Sequence, residues 1–267
     1  MSAPALEMPT YGARSRRALR DLVRAESGKT FSGHAWWVLL SVMGAVDLVI
    51  ALFATDGGLA TYEADILGYG GGFAALLGAL CVTAEYGHRT IVTSYLIAAD
   101  RPTLTVAKMV LAALVGAGYA VVCALLIVLG MVLRGNHPLA ELASVLEVSG
   151  AAMVVFALWA VLGVAVGTLV RSSVVAILAV LMYQWIAEPL LVLLVDFLDN
   201  QSDPDAITQY LPTRSASAAL SRLGGGTSSG NAFEIVQPWW VMLLVFTGWV
   251  ALASAAGIIR AQRRDIT

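Results

Sequence analysis

Charged side chains are scarce in this sequence. Asp, Glu, Lys and Arg make up 13% of its 267 residues, whereas hydrophobic residues make up 59%. A soluble domain carries about a quarter charged residues. The low charge and the mean hydropathy of +0.80 therefore argue against a soluble domain and indicate an integral membrane protein.

Cysteine and histidine are also rare. Cys81 and Cys123 both fall in apolar runs, where lone thiols pack as small residues. A disulfide framework or a metal site would need more cysteines or a closer spacing. His34, His88 and His137 are scattered along the chain, so they indicate neither a ligand cluster nor the convergent groups of an active site. We expect no metal, no catalytic residues and no nucleic-acid partner.

A complete phosphate-binding loop is missing as well, although the chain contains Gly28-Lys29-Thr30. The motif G-x-x-x-x-G-K-[ST] would require a glycine where Val23 stands, and a strand before it. The preceding segment, RSRRALRDLVRA, instead separates arginines from apolar residues at helical spacing. This pattern predicts an amphipathic helix on the inner membrane surface, followed by a turn at residues 28–30. The residues assigned to this interfacial helix are Arg17, Arg20, Arg24, Glu26 and Lys29.

Long apolar runs are what the sequence has in abundance. Each is about 20 residues long, the length that an α-helix needs to cross a bilayer, and a helix satisfies its own backbone groups there. The predicted spans are Trp36–Ala54, Ile66–Ala84, Met109–Leu133, Ser149–Val170, Val174–Val195 and Trp239–Ile259. We predict an all-α integral membrane protein with one transmembrane domain over residues 1–267: an amphipathic segment 1–35, a six-span bundle 36–259 and a tail 260–267.

The basic residues predict the orientation. Six spans place both termini on one side, and only Arg134, Arg214 and Arg222 of the 16 Lys and Arg residues fall on the other side. The side rich in Lys and Arg faces the cytoplasm. We therefore predict a multi-pass protein of the plasma membrane with both termini in the cytoplasm.

The longest internal cytoplasmic loop is AEYGHRTIVTSYLIAADRPTLTVAK, between the second and third spans. Ile91, Val92, Tyr95 and Leu96 recur in it at helical spacing, and Pro102 ends the pattern. This predicts a short helix parallel to the membrane. Two interpretations remain open from the pattern alone: a solvated helical turn, or an apolar ridge that a partner protein grips.

Four segments, in this order, resemble the permease subunits of type-2 ABC exporters. They are RAESGKTFSGHAWWVLL, the loop just described, YLPTRSASAAL and RAQRRDIT. The loop resembles the form E-Y-x-H-x-T…R…A-K. It is matched by Glu85, Tyr86, His88, Thr90, Arg101, Ala107 and Lys108. Arg89 stands where many members of the family have glycine, so the turn there departs from the family pattern.

The resemblance implies a division of labour. Two six-span subunits, as a homodimer or a heterodimer, would form the path through the lipid bilayer. Two separate cytoplasmic ATPase subunits would dock beneath them and bind ATP and Mg²⁺, so this chain would itself bind no cofactor. In the loop helix, Glu85 and Arg89 would make electrostatic contacts to the ATPase, and Ile91, Tyr95 and Leu96 would form the packed ridge.

The implied ATPase-coupling interface comprises Glu85, Tyr86, His88, Arg89, Thr90, Ile91, Tyr95, Leu96 and Arg101. Two other functions remain open. A non-transporting anchor or assembly subunit of an ATPase complex would need only docking helices. A secondary transporter would be expected to show polar clusters at mid-membrane and inverted repeats, which this sequence does not show.

Two acids fall inside the predicted spans, Asp47 in the first and Glu188 in the fifth. An acid that faces lipid costs several kcal/mol, so such residues face a cavity or a partner. We favour a buried structural role for both, and the alternative for Glu188 is a lining residue near an outer gate. Pro189 removes one helix hydrogen bond and predicts a kink or break beside Glu188.

The segment between the fifth and sixth spans, residues 196–238, is the longest outer piece. TRSASAALSRL places Ala216, Ala219, Leu220 and Leu223 on one stripe after Thr213, a candidate cap. This predicts a short helix on the outer face, followed by a flexible GGGTSSGN linker. The helix could cover the exit or serve as packing material.

Small residues recur four positions apart in two spans. The pairs are Gly68 with Gly72 and Gly163 with Gly167. Such pairs let helices approach closely. We favour packing within the chain, with dimerisation as the alternative.

Overall fold

The computed structural model describes residues 11–53, 59–87, 101–135, 142–198, 205–224 and 237–263. Regular structure in these ranges is helical, which confirms the all-α prediction. The α-helices α1 to α10 are Tyr11–Ser32, Ala35–Phe53, Leu59–Gly87, Arg101–Leu133, Leu142–Val170, Ser173–Met182, Glu188–Leu198, Asp205–Thr208, Pro212–Leu223 and Trp239–Arg263. A π-helical segment, Tyr183–Ala187, joins α6 to α7.

Five helices in the described ranges are long and apolar enough to cross a membrane. They are Ala35–Phe53, Pro102–Leu133, Leu142–Val170, Ser173–Leu198 and Trp239–Arg260. The predicted second span corresponds to α3, a helix of 29 residues. Its apolar part, Gly70–Ala84, is shorter than the other five. The helices match an integral membrane protein, as the composition predicts.

Helices α3 and α5 run parallel in close contact. Gly163 of α5 lies against Ala75 of α3, and one turn later Gly167 lies against Ala79. A Cβ atom at Gly163 would overlap the Ala75 carbonyl, so only glycine allows this approach. The predicted pair of glycines in α5 therefore serves packing within the chain.

Helices α2 and α4 also run parallel. Gly44 in α2 faces Leu126 in α4, and further along both helices Ala51 faces Gly130. The direction of α3 is opposite to that of α2. Met43 in α2 lies beside Gly70 in α3. Thr30, which precedes α2, lies beside Cys81 near the end of α3.

Helix α5 is central to the core and shares its direction with α10. Trp159 packs on Phe246 of α10, with ring centroids 5.1 Å apart, and both side chains are buried. Further along both helices, Thr168 lies against Gly257. Because α2 and α4 point one way and α3, α5 and α10 point the other, the start of α2 and the end of α10 lie at the same end of the bundle.

Several predicted boundaries are wrong. Helix α1 continues through Ser32, so residues 28–30 are helical and the predicted turn there does not exist. The side chains of Ser27, Thr30 and Ser32 bond to carbonyls three or four residues earlier, which satisfies these polar groups inside the helix. Helix α4 begins at Arg101 instead of Met109, with Pro102 in its first turn, where proline is tolerated.

Candidate functional site

An ion-pair cluster joins α1 to α4. Glu26 accepts a hydrogen bond from Lys29 at 2.6 Å through Oε1, and one from Lys108 at 2.5 Å through Oε2. Glu26 and Lys108 are both buried, whereas half of the Lys29 side chain is exposed. The cluster ties the N-terminal helix to the first turns of a candidate span.

The charge of Glu26 is stabilised by its two lysines. Burial alone raises the pKa of this carboxyl. The charge of Lys108 and the hydrogen bonds from Lys108 and Lys29 outweigh burial, and they hold the pKa below its usual value of 4.5. Glu26 is therefore ionised at neutral pH, and its negative charge is opposite to that of both lysines.

Helix α1 is amphipathic, as the sequence predicts. Arg20 and Arg24 are exposed, while Leu22 and Val23 are partly buried. Arg17 lies in α1, but its side chain is outside the described part of the structure. Glu26 lies in α1, as assigned, and it is buried in the protein.

The same end of the bundle contains further contacts around the start of α2. The Thr30 hydroxyl lies 3.8 Å from the sulfur of Cys81 in α3. The Trp36 backbone carbonyl accepts a hydrogen bond from the Tyr119 hydroxyl of α4. The Trp36 indole donates to the carbonyl of Phe31 at 3.2 Å. Together with Glu26, these contacts anchor the passage from α1 into α2 on α3 and α4.

Asp47 belongs to α2, and its buried side chain faces α4. The Cys123 thiol of α4 is its hydrogen-bond partner. Within the described residues, its second oxygen, Oδ2, has no hydrogen-bond partner. The favoured buried position is confirmed, but sequence reasoning gave Cys123 only a packing role and missed the pair.

Glu188 lies at the opposite end of the bundle and bridges α7 to α9. It is buried, and its Oε2 and Oε1 atoms accept the backbone N–H groups of Thr213 at 3.0 Å and Arg214 at 2.8 Å. Its carboxylate also has the Tyr183 hydroxyl as a hydrogen-bond partner. Two free N–H groups of the first turn of α9 are thereby satisfied from a different helix.

The predicted cap of α9 is wrong. The N-cap is Leu211, which has no side-chain acceptor, and Pro212 is the first helical residue. Thr213 lies inside the helix, where its N–H is bound by Glu188 and its hydroxyl has no partner among the described groups. The predicted apolar stripe of α9 is confirmed, because Ala216, Ala219 and Leu220 are buried.

The break predicted beside Pro189 does not occur, but a π-helical segment lies immediately before Glu188. The π-helical segment Tyr183–Ala187 ends immediately before Glu188, whose N–H bonds to the Tyr183 carbonyl five residues earlier. The helix continues through Pro189 without a break. Such wide turns concentrate at functional sites, because they redirect side chains inside an otherwise regular helix.

Most of the predicted coupling helix lies outside the described residues. This applies to His88, Arg89, Thr90, Ile91, Tyr95 and Leu96. Glu85 and Tyr86 are in the last turn of α3, and Arg101 begins α4, but their side chains are not described. The helix ends that flank this loop therefore lie on α3 and α4, the two helices that contact Thr30 and Glu26.

No family model matches this chain, and no curated protein is significantly similar to it. Among the described residues, no three His, Cys, Asp or Glu side chains are grouped to hold a metal ion.

Proposed function

We propose that this chain is the membrane-spanning permease subunit of an ATP-driven ABC exporter. The observation that carries this proposal is the buried Glu26–Lys108 ion pair. It joins two of the segments that resemble this family, RAESGKTFSGHAWWVLL, which contains Glu26, and the segment that ends at Lys108 in α4.

The geometry supports a route for mechanical coupling. The predicted ATPase-docking loop continues directly into Arg101, the first residue of α4, and Lys108 follows about two turns later. A force on the loop would move the start of α4. Because Lys108 is bound to Glu26, α1 would move with it, and packed helices transmit such displacements as rigid bodies.

The proposed layout has six spans, with α3 as the second. Its 29 residues and its parallel packing on α5 support this, although its apolar part is short. The end of the bundle that carries α1 would face the cytoplasm, because most Lys and Arg residues lie in segments at that end. The protein would then lie in the bacterial plasma membrane, with both termini in the cytoplasm.

The proposed assembly contains a second permease subunit, identical or related, and two cytoplasmic ATPase subunits. ATP and Mg²⁺ would bind to the ATPase subunits, and this chain would supply half of the path. Closure of the ATPase pair on ATP would tilt the bundles between an inward and an outward state.

Purification of the tagged chain from its native membrane tests the proposal. We expect an ATPase with a complete phosphate loop to co-purify, and its turnover to respond to transported substrate. The purified chain alone should not hydrolyse ATP. An ATPase partner without substrate-dependent turnover would indicate an anchor subunit. Ion-driven transport without any ATPase would indicate a secondary transporter.

A further inference from the structure

The connection between α5 and α6 contains an arginine in a conformation that usually belongs to glycine. Arg171 has a φ angle of 62°, in the left-handed region, and its N–H bonds to the Gly167 carbonyl at 2.9 Å. This conformation ends α5 in the manner of a helix C-terminal cap. The chain then turns within two residues, and α6 begins at Ser173. Arg171 and the first turn of α6 therefore lie close together.

The N-terminus of α6 lacks a cap from its own first residue. Its N-cap residue is Ser172, a residue type that commonly supplies the cap, yet the Ser172 side chain makes no capping hydrogen bond. The first N–H groups of a helix have no partner inside the helix, and the helix dipole makes this end positive. An anion is therefore a favourable partner for this terminus.

A second arginine lies at the same level on α10. Helices α5 and α10 are parallel, and Thr168 of α5 lies against Gly257 of α10. Arg171 and Arg260 each follow this contact by three residues, which is about one helical turn. The Nε atom of Arg260 is buried, and among the groups that the structure describes it has no hydrogen-bond partner. A buried donor on a cation is costly without an acceptor, so an anion between the two helix ends would stabilise it.

Apolar side chains beside this position favour a lipid over a free ion. The candidate spans in α5 and α10 end at Val170 and Arg260, so both arginines lie where these helices leave the apolar region. Val174 and Leu178 are exposed one turn apart on α6, and Ile259 is exposed on α10. A phosphate ion would leave these side chains uncovered, whereas the acyl chains of a phospholipid would cover them.

We propose that Arg171, Arg260 and the first turn of α6 bind the phosphate group of an acidic phospholipid. The phosphate oxygens accept hydrogen bonds from the two guanidinium groups and from the first N–H groups of α6, and guanidinium geometry suits phosphate. Basic pockets between membrane helices bind such headgroups. The site lies at the end of the bundle that carries α1. It requires only that the chain spans a membrane, so it does not depend on an ATPase partner.

Native mass spectrometry of the full chain, freed of lipid in detergent, tests this site. Dioleoyl phosphatidylglycerol, dioleoyl phosphatidylcholine and inorganic phosphate are titrated separately, and the first binding constants are compared. We expect phosphatidylglycerol to bind about tenfold more tightly than phosphatidylcholine, whose choline group adds a positive charge beside the arginines. Inorganic phosphate at the same concentration should bind more weakly and should not displace phosphatidylglycerol.

Two variants each remove one guanidinium group. Arg171→Gly keeps the left-handed backbone, which glycine adopts readily, and Arg260→Gln keeps a polar side chain at the end of the span. Each should weaken phosphatidylglycerol binding about tenfold, because charge-assisted hydrogen bonds are lost. The matched control is Arg134→Gln, which removes an exposed arginine that follows α4 at the opposite end of the bundle. This control should bind phosphatidylglycerol as tightly as the unmodified protein.

Equal affinity in the unmodified protein and in both arginine variants would overturn the site. An equal loss in Arg134→Gln would also overturn it, because attraction by net charge alone would then explain the binding. Phosphatidylcholine binding as tight as that of phosphatidylglycerol, or displacement by inorganic phosphate, would contradict an acidic phospholipid as the ligand. If Arg260→Gln does not accumulate in the membrane, Arg171→Gly decides the question, since glycine favours the backbone conformation at that position.

Discussion

The Nζ atom of Lys108 lies 2.5 Å from Oε2 of Glu26, which is 82 residues earlier in the chain, and both side chains are buried. A buried ion pair is not necessarily stabilising compared with an apolar pair of the same shape. Removal of one partner is costly, however, because an unpaired charge stays in the protein interior. The pair therefore specifies how α1 docks on α4.

We expect Glu26→Ala to destabilise the protein by about 3–5 kcal/mol, since it leaves the Lys108 ammonium buried without its carboxylate. Lys108→Ala should cost less, because Glu26 keeps its bond to Lys29. The double variant Glu26→Leu/Lys108→Met should recover much of the loss. The thermal unfolding midpoint in detergent checks all three.

Arg24→Ala is the matched control for this series, because Arg24 is an exposed charge on the same helix. Its midpoint should stay close to that of the unmodified protein. Equal effects of Arg24→Ala and Glu26→Ala would show that the buried pair does not hold α1.

The docking of α1 should also depend on pH. The pKa of Glu26 is lower in the folded protein than its usual value of 4.5. A carboxyl group with a lowered pKa stabilises the fold fully above about pH 4.5. This contribution is lost as the pH falls through the lower pKa that the group has in the folded protein. We expect the difference in unfolding midpoint between the unmodified protein and Glu26→Gln to be constant near neutral pH and to shrink below pH 4.5. A difference that grows with acidity would contradict this assignment.

The apolar patterning was enough to predict the all-helical architecture and the approximate location of five helices long enough to cross a membrane. Helices such as α2 and α10 begin close to the predicted residues, because the apolar run and the helix coincide there. The prediction failed where a helix extends beyond its apolar part. Helix α4 begins in a polar segment at Arg101, and α1 continues through Gly28-Lys29-Thr30, because tertiary contacts such as Glu26–Lys108 offset the poor local pattern.

Partners across the bundle could not be predicted. Asp47 and Glu188 were recognised as intramembrane acids and Glu26 was assigned to the interfacial helix. Their partners on other helices, however, lie 76, 25 or more, and 82 residues away in sequence, respectively. The register of α2 on α4, which brings Cys123 to Asp47, depends on side-chain packing that periodicity does not encode.

The close approach of α5 to α3 predicts a strong effect at one glycine. Gly163→Ala would place a Cβ atom on the Ala75 carbonyl, so the backbones must separate. We expect a loss of about 1–3 kcal/mol or more, or failure to accumulate. Gly150→Ala on the same helix is the control, because a Cβ there meets nothing within 4 Å. Thermal midpoints that fall equally in both variants would contradict the packing argument.

The Asp47–Cys123 pair predicts that the thiol has more than a packing role. Cys123→Ala removes the hydrogen-bond partner of a buried carboxyl group and should destabilise the protein by about 1–3 kcal/mol. Cys123→Ser keeps a donor at nearly the same place and should cost less. Unfolding in detergent measures both variants. A Cys123→Ser variant that is no more stable than Cys123→Ala would show that the loss comes from cavity formation alone.

Substitutions in the loop between α3 and α4 should weaken coupling to the ATPase without preventing insertion of the protein into the membrane. If its apolar ridge docks on an ATPase, Tyr95→Asp places a charge in that contact, and Glu85→Lys reverses a charge at its edge. Both should leave the protein in the membrane and reduce substrate-dependent ATPase turnover by tenfold or more, about 1.4 kcal/mol of lost coupling. The control is Glu147→Lys, an exposed acid near the start of α5, at the opposite end of the bundle from α1. Variants at Tyr95 and Glu85 that keep fully coupled turnover would show that this loop is a solvated turn, and the ATPase would then have to act on the bundle through another surface.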